Sequence, residues 1–388
     1  MTEEFKIVSK TTFGFEPGVA KEFEEIGLKE IEIHNRAVTG IGSLKDLYAI
    51  NYRSRLSLRV LVPILNCEVN SQQQLYDAVM SIKWNKYITI KSKIAIDSSE
   101  NQSEFNNTMF ISMKAKDAIV DQLRTEAGER PSIDIDNPDL RINIHIFKNQ
   151  CTISLDSSGY SLHKRGYRSA TVKAPLNEVL AAGLIYLSGW DTTVPFIDPM
   201  CGSGTIAIEA CMLAKNIPAG YFSNGYNFMK WNNYNKQLWQ NVVDEANTQI
   251  KDLEVPIIAI DAAKQSIEAA RENIDEAGLS DDIKLIHTNF MDYTNTLNEG
   301  ILIMNPPDGE RLSLEDVQDF YKQIGDTFKQ KYKGMSAYII TSNPDGYKSI
   351  GLKTSRKMIV FNGGVECRFL KYEMYDGTKK FKKLELEE

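Results

Sequence analysis

Apolar and polar positions alternate in short runs through the first part of the chain. Phe5–Val8 and Ile31–Ile33 read as strands around a helix at Gly18–Ile26, Leu44–Asn51 as a second helix and Leu58–Asn66 as an apolar strand. Gln73–Ile82 is spaced as a helix and Ile94–Asp97 as a strand. Met113–Glu126 sets Ala118, Ile119, Val120 and Leu123 among polar residues at helical intervals. Leu140–Phe147 alternates strictly, which predicts a half-buried strand, with Cys151–Leu155 its hairpin partner across Lys148-Asn149-Gln150.

The stretch from Asp156 to Lys173 is polar, contains Ser157-Ser158-Gly159, and predicts a linker or exposed crossing. Beyond it the rhythm changes to helices alternating with short apolar strands. Helices are predicted at Leu176–Leu187, Thr205–Ala214, Ala263–Ala277 (stopped by Gly278) and Leu314–Gln330. Strands are predicted at Val194–Ile197, Ile257–Ile260, Ile283–His287, Ile301–Met304 and Ala337–Thr341. Met358–Phe361 and Glu366–Tyr372 form a closing antiparallel hairpin about Gly363-Gly364. Repeated β-α units imply an α/β domain with a mostly parallel, doubly wound, Rossmann-like sheet. The segment Asn216–Glu254 is surplus to that pattern and rich in aromatics, among them Tyr221, Phe222, Tyr226, Phe228, Trp231, Tyr234 and Trp239. It reads as an insertion packed on the sheet edge, with an aromatic lid over substrate as the alternative.

Length and composition narrow the class. At 388 residues, two or three domains are expected, and 42% hydrophobic with 25% charged residues is ordinary for a globular protein. No apolar run approaches the ~20 residues of a membrane helix, and Met1-Thr2-Glu3-Glu4 lacks the pattern of a secretory signal, so a cytoplasmic protein with no membrane partner is expected. The five cysteines have no C-x-x-C spacing and the four histidines are scattered, so no metal site and no disulfide framework is expected. Net charge is −7: residues 1–170 hold 22 basic and 22 acidic residues, leaving 23 and 30 of the totals of 45 and 52 for 171–388. A nucleic-acid contact must therefore come from local patches. Arg53/Arg55/Arg59 is one candidate, and Lys164-Arg165-Gly166-Tyr167-Arg168, interrupted by glycine and an aromatic, is the stronger. If the protein binds RNA, Lys164, Arg165 and Arg168 are expected to contact its phosphates, with Tyr167 alongside.

Two motifs carry chemistry. In Phe196-Ile197-Asp198-Pro199-Met200-Cys201-Gly202-Ser203-Gly204-Thr205 a strand ends in an acid, then a glycine turn, then a helix. Glycines admit close backbone approach, and the helix start offers unpaired N–H groups. Asp198 disfavours a phosphate and suits a cation, such as the amino group and sulfonium of S-adenosylmethionine. Asp261, at the tip of the next strand, can take both ribose hydroxyls. Asn289 and Phe290 at the third strand tip are placed for the adenine, through the Asn289 side chain and a backbone N–H. The second motif, Asn305-Pro306-Pro307-Asp308, ends the fourth strand at the edge where open α/β sheets bind ligands. The Asn305 side-chain oxygen and the Pro306 carbonyl can both accept from one NH2 group, turning its lone pair toward a methyl donor.

With Thr12-Phe13-Gly14-Phe15-Glu16, Lys116–Asp121, Leu155–Gly159, Leu162-His163-Lys164-Arg165-Gly166-Tyr167-Arg168, Ala174–Glu178, the Asp198–Thr205 turn and Asn305–Arg311, nearly the whole chain resembles the THUMP-domain ribosomal RNA guanine-N2 methyltransferases. That family is often catalogued as N6-adenine-specific methylases. The resemblance implies a ferredoxin-like domain (1–65), a THUMP RNA-binding domain (66–156), a basic linker (157–174) and a class I methyltransferase domain (175–388) built on a seven-stranded sheet. It implies S-adenosylmethionine held by Asp198, Pro199, Cys201, Gly202, Ser203, Gly204 and Asp261, with Pro175 and Asn177 lining its methionine end. It places the target amine on Asn305 and Pro306, with Pro307 and Asp308 completing the pocket. The family usually has tyrosine where Asp308 stands. A carboxylate cannot stack on an unstacked base, but it can accept from guanine N1–H and N2–H. The implied substrate is ribosomal RNA. Adenine-N6 methylation, methylation of transfer RNA and a catalytically weakened RNA-binding role are the alternatives. A monomer is expected.

Overall fold

A computed structural model of the chain describes residues 3–89, 91–105, 107–127, 132–170, 176–307 and 314–374. In order, its first part contains β1 (Phe5–Lys10), α1 (Glu16–Ile26), β2 (Lys29–His34), β3 (Ala37–Gly42), α2 (Leu44–Arg53), β4 (Arg59–Glu68), α3 (Gln72–Ser81), β5 (Lys93–Asn101), α4 (Thr108–Ala127), β6 (Ser132–Ile133), β7 (Leu140–Phe147) and β8 (Gln150–Asp156). The second part contains α5 (Glu178–Ser188), β9 (Phe196–Asp198), α6 (Thr205–Ala214), α7 (Lys236–Asn247), β10 (Ile257–Asp261), α8 (Lys264–Glu276), β11 (Ile283–His287), β12 (Ile301–Met304), α9 (Leu314–Lys331), β13 (Ser336–Thr341), α10 (Pro344–Ser349), β14 (Arg356–Asn362) and β15 (Val365–Glu373). No helix among the described residues is long and apolar enough to cross a membrane.

The chain divides into two compact units. One comprises Met1–Thr11, Val19–Lys164 and Ser223–Ala246; the other comprises Thr12–Gly18, Arg165–Phe222 and Asn247–Glu388. The first unit is organised on one mixed eight-stranded sheet, ordered β2-β3-β1-β4-β8-β7-β5-β6. The β4–β8 pairing joins the strands before and after α3 and α4 into one continuous sheet. Leu75 and Val79 of α3, and Ile111, Ala115, Ala118 and Ile119 of α4, pack with Ile142, Ile144 and Ile146 from one face of β7.

The opposite face of β7 is the solvent face that its alternation predicts only in its second half: His145 and Phe147 are exposed, but Arg141 is 7% and Asn143 6% exposed. Buried polar groups require partners, and this sheet provides them. Arg141 pairs with Asp97 at 2.9 Å, Lys10 Nζ donates to Asn143 Oδ1 at 3.0 Å, and Arg59 is paired with the buried Asp156. Arg59 is therefore part of an internal ion-pair network and is not a free basic patch.

The aromatic insertion also departs from expectation. It does pack as core, but Tyr226, Phe228 and Trp239 gather around Tyr48 of α2, with Phe228 stacked on Tyr48 at 4.4 Å. Residues 223–246 thus belong to the first unit and not to the edge of the second sheet.

The second unit is a seven-stranded sheet ordered β11-β10-β9-β12-β13-β15-β14, parallel except for β15, which runs antiparallel between β13 and β14. Its strands read as nearly continuous apolar runs because both faces are covered. Phe196, Ile257, Ala259 and Ile303 point to the side holding α5, α6 and α8. Ile197, Ile258, Ile260, Leu302 and Met304 point to the side holding α9. Phe15, far away in sequence, is fully buried in the first of these cores. A Cβ on Gly183 would lie only 2.2 Å from its ring, so glycine is what admits the ring against the α5 backbone. Replacing Phe15 with alanine is expected to cost about 3–5 kcal/mol. Chemical denaturation checks this; a loss below about 1 kcal/mol would place the ring outside the core.

Candidate active site

Strand order fixes where a site can form. From β9 the chain runs outward to β10 and β11, then returns to the other side of β9 at β12. The gap between the carboxyl ends of β9 and β12 is the topological switch point, where open α/β sheets bind ligands. Ile197 pairs with Leu302 across it, so Asp198 and Asn305 both stand at this edge, on adjacent strands. Ala259 pairs with Asp198 on the other side, which brings Asp261 to the same edge.

The glycine turn is held from below by β10. Cys201 N–H donates to the Ile260 carbonyl at 2.9 Å, and Gly202 N–H to Asp261 Oδ2 at 2.9 Å. Ala263 N–H donates to the other oxygen, Asp261 Oδ1, at 2.8 Å. Asp261 therefore braces the turn as well as facing the edge, and each of its oxygens keeps a lone pair for a hydroxyl. Gly202 and Gly204 take φ values of +55° and +84°. An L side chain is strained there, and Gly204 caps α6 in this conformation. Pro199, Cys201 and Ser203 are buried within the turn, so they shape it by backbone more than by exposed side chains.

Asp198 is the electrostatic anomaly of the molecule. It is fully buried, and neither carboxylate oxygen has a hydrogen-bond partner among the described residues. Burial pushes its pKa well above the usual carboxylate range. The Ala207 and Met200 N–H groups oppose that rise, and the nearby Asp261 charge adds to it. Those two N–H groups lie near the carboxylate without closing a full hydrogen bond. A buried acceptor with no donor is costly unless a ligand supplies one. A cationic amino group satisfies both the charge and the lone pairs, and so fits this position.

Asn305 is half-buried and Pro306 buried at the end of β12, and the Asn305 amide has no hydrogen-bond partner among the described residues. Its oxygen is free to accept. Pro307 is exposed. Asn289 follows β11 and is exposed; its Oδ1 accepts from Met291 N–H at 2.9 Å, leaving one lone pair on that oxygen. The Phe290 ring is core, stacked on Tyr332 at 5.2 Å, so only its backbone can serve a ligand. Asn177 caps α5, accepting from Leu180 N–H at 3.1 Å. Pro175 and Asp308 lie outside the described residues.

The basic run requires correction. Of its four candidate RNA contacts only Lys164 is exposed. Arg165 and Tyr167 are each 2% exposed, and both donate to Glu209 Oε1, at 3.4 and 3.1 Å. Arg168 Nε pairs with Glu178 Oε1 at 2.8 Å, and its other nitrogens donate to Thr205 Oγ1 at 2.9 Å, Leu176 O at 3.0 Å and Ser203 Oγ at 3.3 Å. These three side chains are spent inside the second unit and cannot reach a phosphate. The segment is accordingly no exposed linker; Ser157 and Ser158, in the first unit, are fully buried as well. The acids that neutralise the run, Glu178 and Glu209, and the amide of Asn273 were not among the residues singled out from sequence. A signal existed: Glu209 interrupts the apolar helix Thr-Ile-Ala-Ile-Glu-Ala-Cys-Met-Leu-Ala, and a carboxylate on such a face demands a buried cation.

Known proteins share this order of domains and this fold. Residues 165–371 match an RMKL-like methyltransferase domain, 69–156 a THUMP domain and 6–61 an RlmL ferredoxin-like domain. The protein slr0064 of Synechocystis, a candidate RNA methyltransferase by its name, is 38% identical over 364 residues, covering 93% of this chain and 95% of that protein. The ribosomal RNA large subunit methyltransferase K/L of Syntrophotalea carbinolica is 34% identical over 386 residues, covering 96% of this chain but 54% of that protein. The chain thus spans about half the length of such K/L relatives. The crystal structure of SMU.472, a candidate methyltransferase complexed with S-adenosylhomocysteine, is 30% identical with a TM-score of 0.86, over 97% of this chain and 100% of that one. A methylase candidate from Clostridium difficile is 32% identical with a TM-score of 0.87, over the same shares. By domain content, sequence and fold, the chain belongs to the RMKL-like methyltransferase family, with ferredoxin-like and THUMP domains ahead of the catalytic one.

Proposed function

We propose that this chain methylates the exocyclic N2 amine of a guanine in large-subunit ribosomal RNA. The observation that carries the reading is the placement, on adjacent strand ends, of the buried Asp198 carboxylate and the Asn305 amide, neither with a hydrogen-bond partner among the described residues. S-adenosylmethionine, when bound, supplies an electrophilic methyl group. Asp198 receives the cationic amino group, Gly202 and Gly204 let the backbone approach, and Asp261 takes the ribose hydroxyls. The Asn289 side chain and the Phe290 backbone face the adenine. Asn177 lines the methionine end.

Asn305 Oδ1 and the Pro306 carbonyl accept the two N–H groups of the target amine and aim its lone pair. Pro307 stiffens the turn. As the new N–C bond forms, the amine nitrogen becomes positive and both acceptors bind it more tightly, so their help is concentrated in the transition state. The nitrogen then releases its proton to water, so no strong base is required. Asp308 follows Pro307 in the sequence, and a carboxylate there favours guanine over adenine because only guanine offers N1–H beside N2–H. The THUMP match and the names of the K/L relatives support ribosomal RNA as substrate, and exposed Lys164 is the remaining phosphate contact from the basic run.

The test is transfer of labelled methyl to ribosomal RNA from cells lacking this gene, to transfer RNA and to DNA, followed by digestion to nucleosides. Label recovered as N2-methylguanosine from ribosomal RNA is the expected outcome. Label on adenine N6, or only on transfer RNA, would overturn the base or the substrate. Cofactor binding with no transfer to any of the three would favour a catalytically weakened RNA-binding role.

A further inference from the structure

Arg168 sits where three parts of the cofactor-side framework meet. Its Nε and one terminal nitrogen hold the start of α5, through Glu178 Oε1 at 2.8 Å and Leu176 O at 3.0 Å. The same guanidinium holds the glycine turn and the start of α6, through Ser203 Oγ at 3.3 Å and Thr205 Oγ1 at 2.9 Å. Asn273, on α8, closes the assembly. Its amide donates to Ser203 O and Ala170 O, both at 3.0 Å, and its oxygen accepts from Ser169 N–H and Ala170 N–H, both at 3.0 Å. The strand of chain carrying Arg168 is thus stitched to the turn at two residues, from two directions.

We infer that Arg168 is a positioning residue for the cofactor turn: it sets affinity for the methyl donor, and RNA affinity is independent of it. This inference rests on the proposed cofactor site. The turn from Cys201 to Gly204 is glycine-rich, with Gly202 and Gly204 at positive φ; its backbone is tied to β10 on one side, and Arg168 and Asn273 hold it from the other. A planar guanidinium can hold several acceptors in a fixed fork, which the point charge of lysine cannot. Ser203 and Thr205 flank Gly204, so fixing them fixes the N–H groups of the turn. The Arg168–Glu178 pair is largely withdrawn from water, with side-chain exposures of 15% and 6%, so salt does not loosen it.

The experiment measures S-adenosylhomocysteine affinity by calorimetry, the KM for S-adenosylmethionine, kcat at saturating donor, and RNA affinity against salt, for wild type, Arg168→Gln, Arg168→Lys and Thr205→Val. Arg168→Gln is expected to weaken S-adenosylhomocysteine binding and raise KM by about tenfold or more. RNA affinity and its salt slope stay at wild-type values. Arg168→Lys falls between, and Thr205→Val, which removes one acceptor and keeps the shape, moves KM the same way by less. A purely structural role would instead deplete active protein, lowering kcat with affinity unchanged, and would overturn the inference. So would a lower RNA affinity with a shallower salt slope, which returns Arg168 to phosphate contact. If Arg168→Gln does not fold, Thr205→Val decides by the same readouts. Failure of the wild type itself to bind S-adenosylhomocysteine would reject the underlying cofactor site, a different outcome from normal binding by the variants.

Discussion

Replacing Asp198 with asparagine is expected to abolish useful cofactor binding while leaving the free protein at least as stable as wild type. The two effects have one cause. In the free protein the carboxylate is fully buried with no hydrogen-bond partner among the described residues, so it is a liability to folding. Asparagine keeps its shape and removes the charge. In the complex that same charge is the partner of a desolvated cation, and removing one member of such a pair costs about 2–5 kcal/mol, or roughly 30-fold to a few thousand-fold in affinity. The pH dependence carries the same sign. Because burial raises the folded-state pKa of Asp198, its contribution to stability is fully present below the ordinary carboxylate pKa and is lost as pH rises through the raised value. A bound cation favours the ionised form, so cofactor affinity should rise with pH across that same window, with release of a proton on binding. Asp198→Asn should lack both trends. Thermal unfolding and calorimetry from pH 5 to 8 would read them; an unfolding temperature clearly below wild type would mean that Asp198 is a structural partner after all.

Asn305→Ala should do the converse. Nothing among the described residues depends on the Asn305 amide, so folding and S-adenosylhomocysteine affinity should stay within about twofold of wild type. Methyl transfer should fall by about 10²–10³-fold in kcat, the usual cost of removing one transition-state hydrogen bond. KM for RNA should change little, because the contact strengthens as charge develops on nitrogen and contributes less in the ground state. A fall in RNA affinity with kcat preserved would make Asn305 a docking residue instead.

Much of this was legible in the chain because it is local. The alternation of helices with apolar runs gave the doubly wound sheet, and the strand–Asp198–glycine turn and strand–Asn305-Pro306 motifs announced themselves through short spacing. Four elements escaped for local reasons, β6 and α10 because they are only two and six residues long. Ala37–Gly42 is short and holds two glycines, and Lys236–Asn247 follows an aromatic stretch and buries only Val242 and Ala246. The larger errors were non-local. Arg165, Tyr167 and Arg168 read as a surface patch because the acids that bury them, Glu178 and Glu209, lie 10 to 44 residues further on. Arg141 and Asn143, on the polar face of β7, read as solvent-facing because their partners, Asp97 and Lys10, sit on other strands. Charge in a sequence shows that a partner is needed and does not say whether that partner is water, nucleic acid or a buried carboxylate.

The most direct test combines binding and chemistry on three proteins: wild type, Asp198→Asn and Asn305→Ala, each assayed for S-adenosylhomocysteine affinity and for labelled methyl on ribosomal RNA. The predicted result is that Asp198→Asn loses both and Asn305→Ala loses transfer alone. Wild-type affinity in Asp198→Asn, or undiminished transfer by Asn305→Ala, would contradict a site built across the ends of β9 and β12.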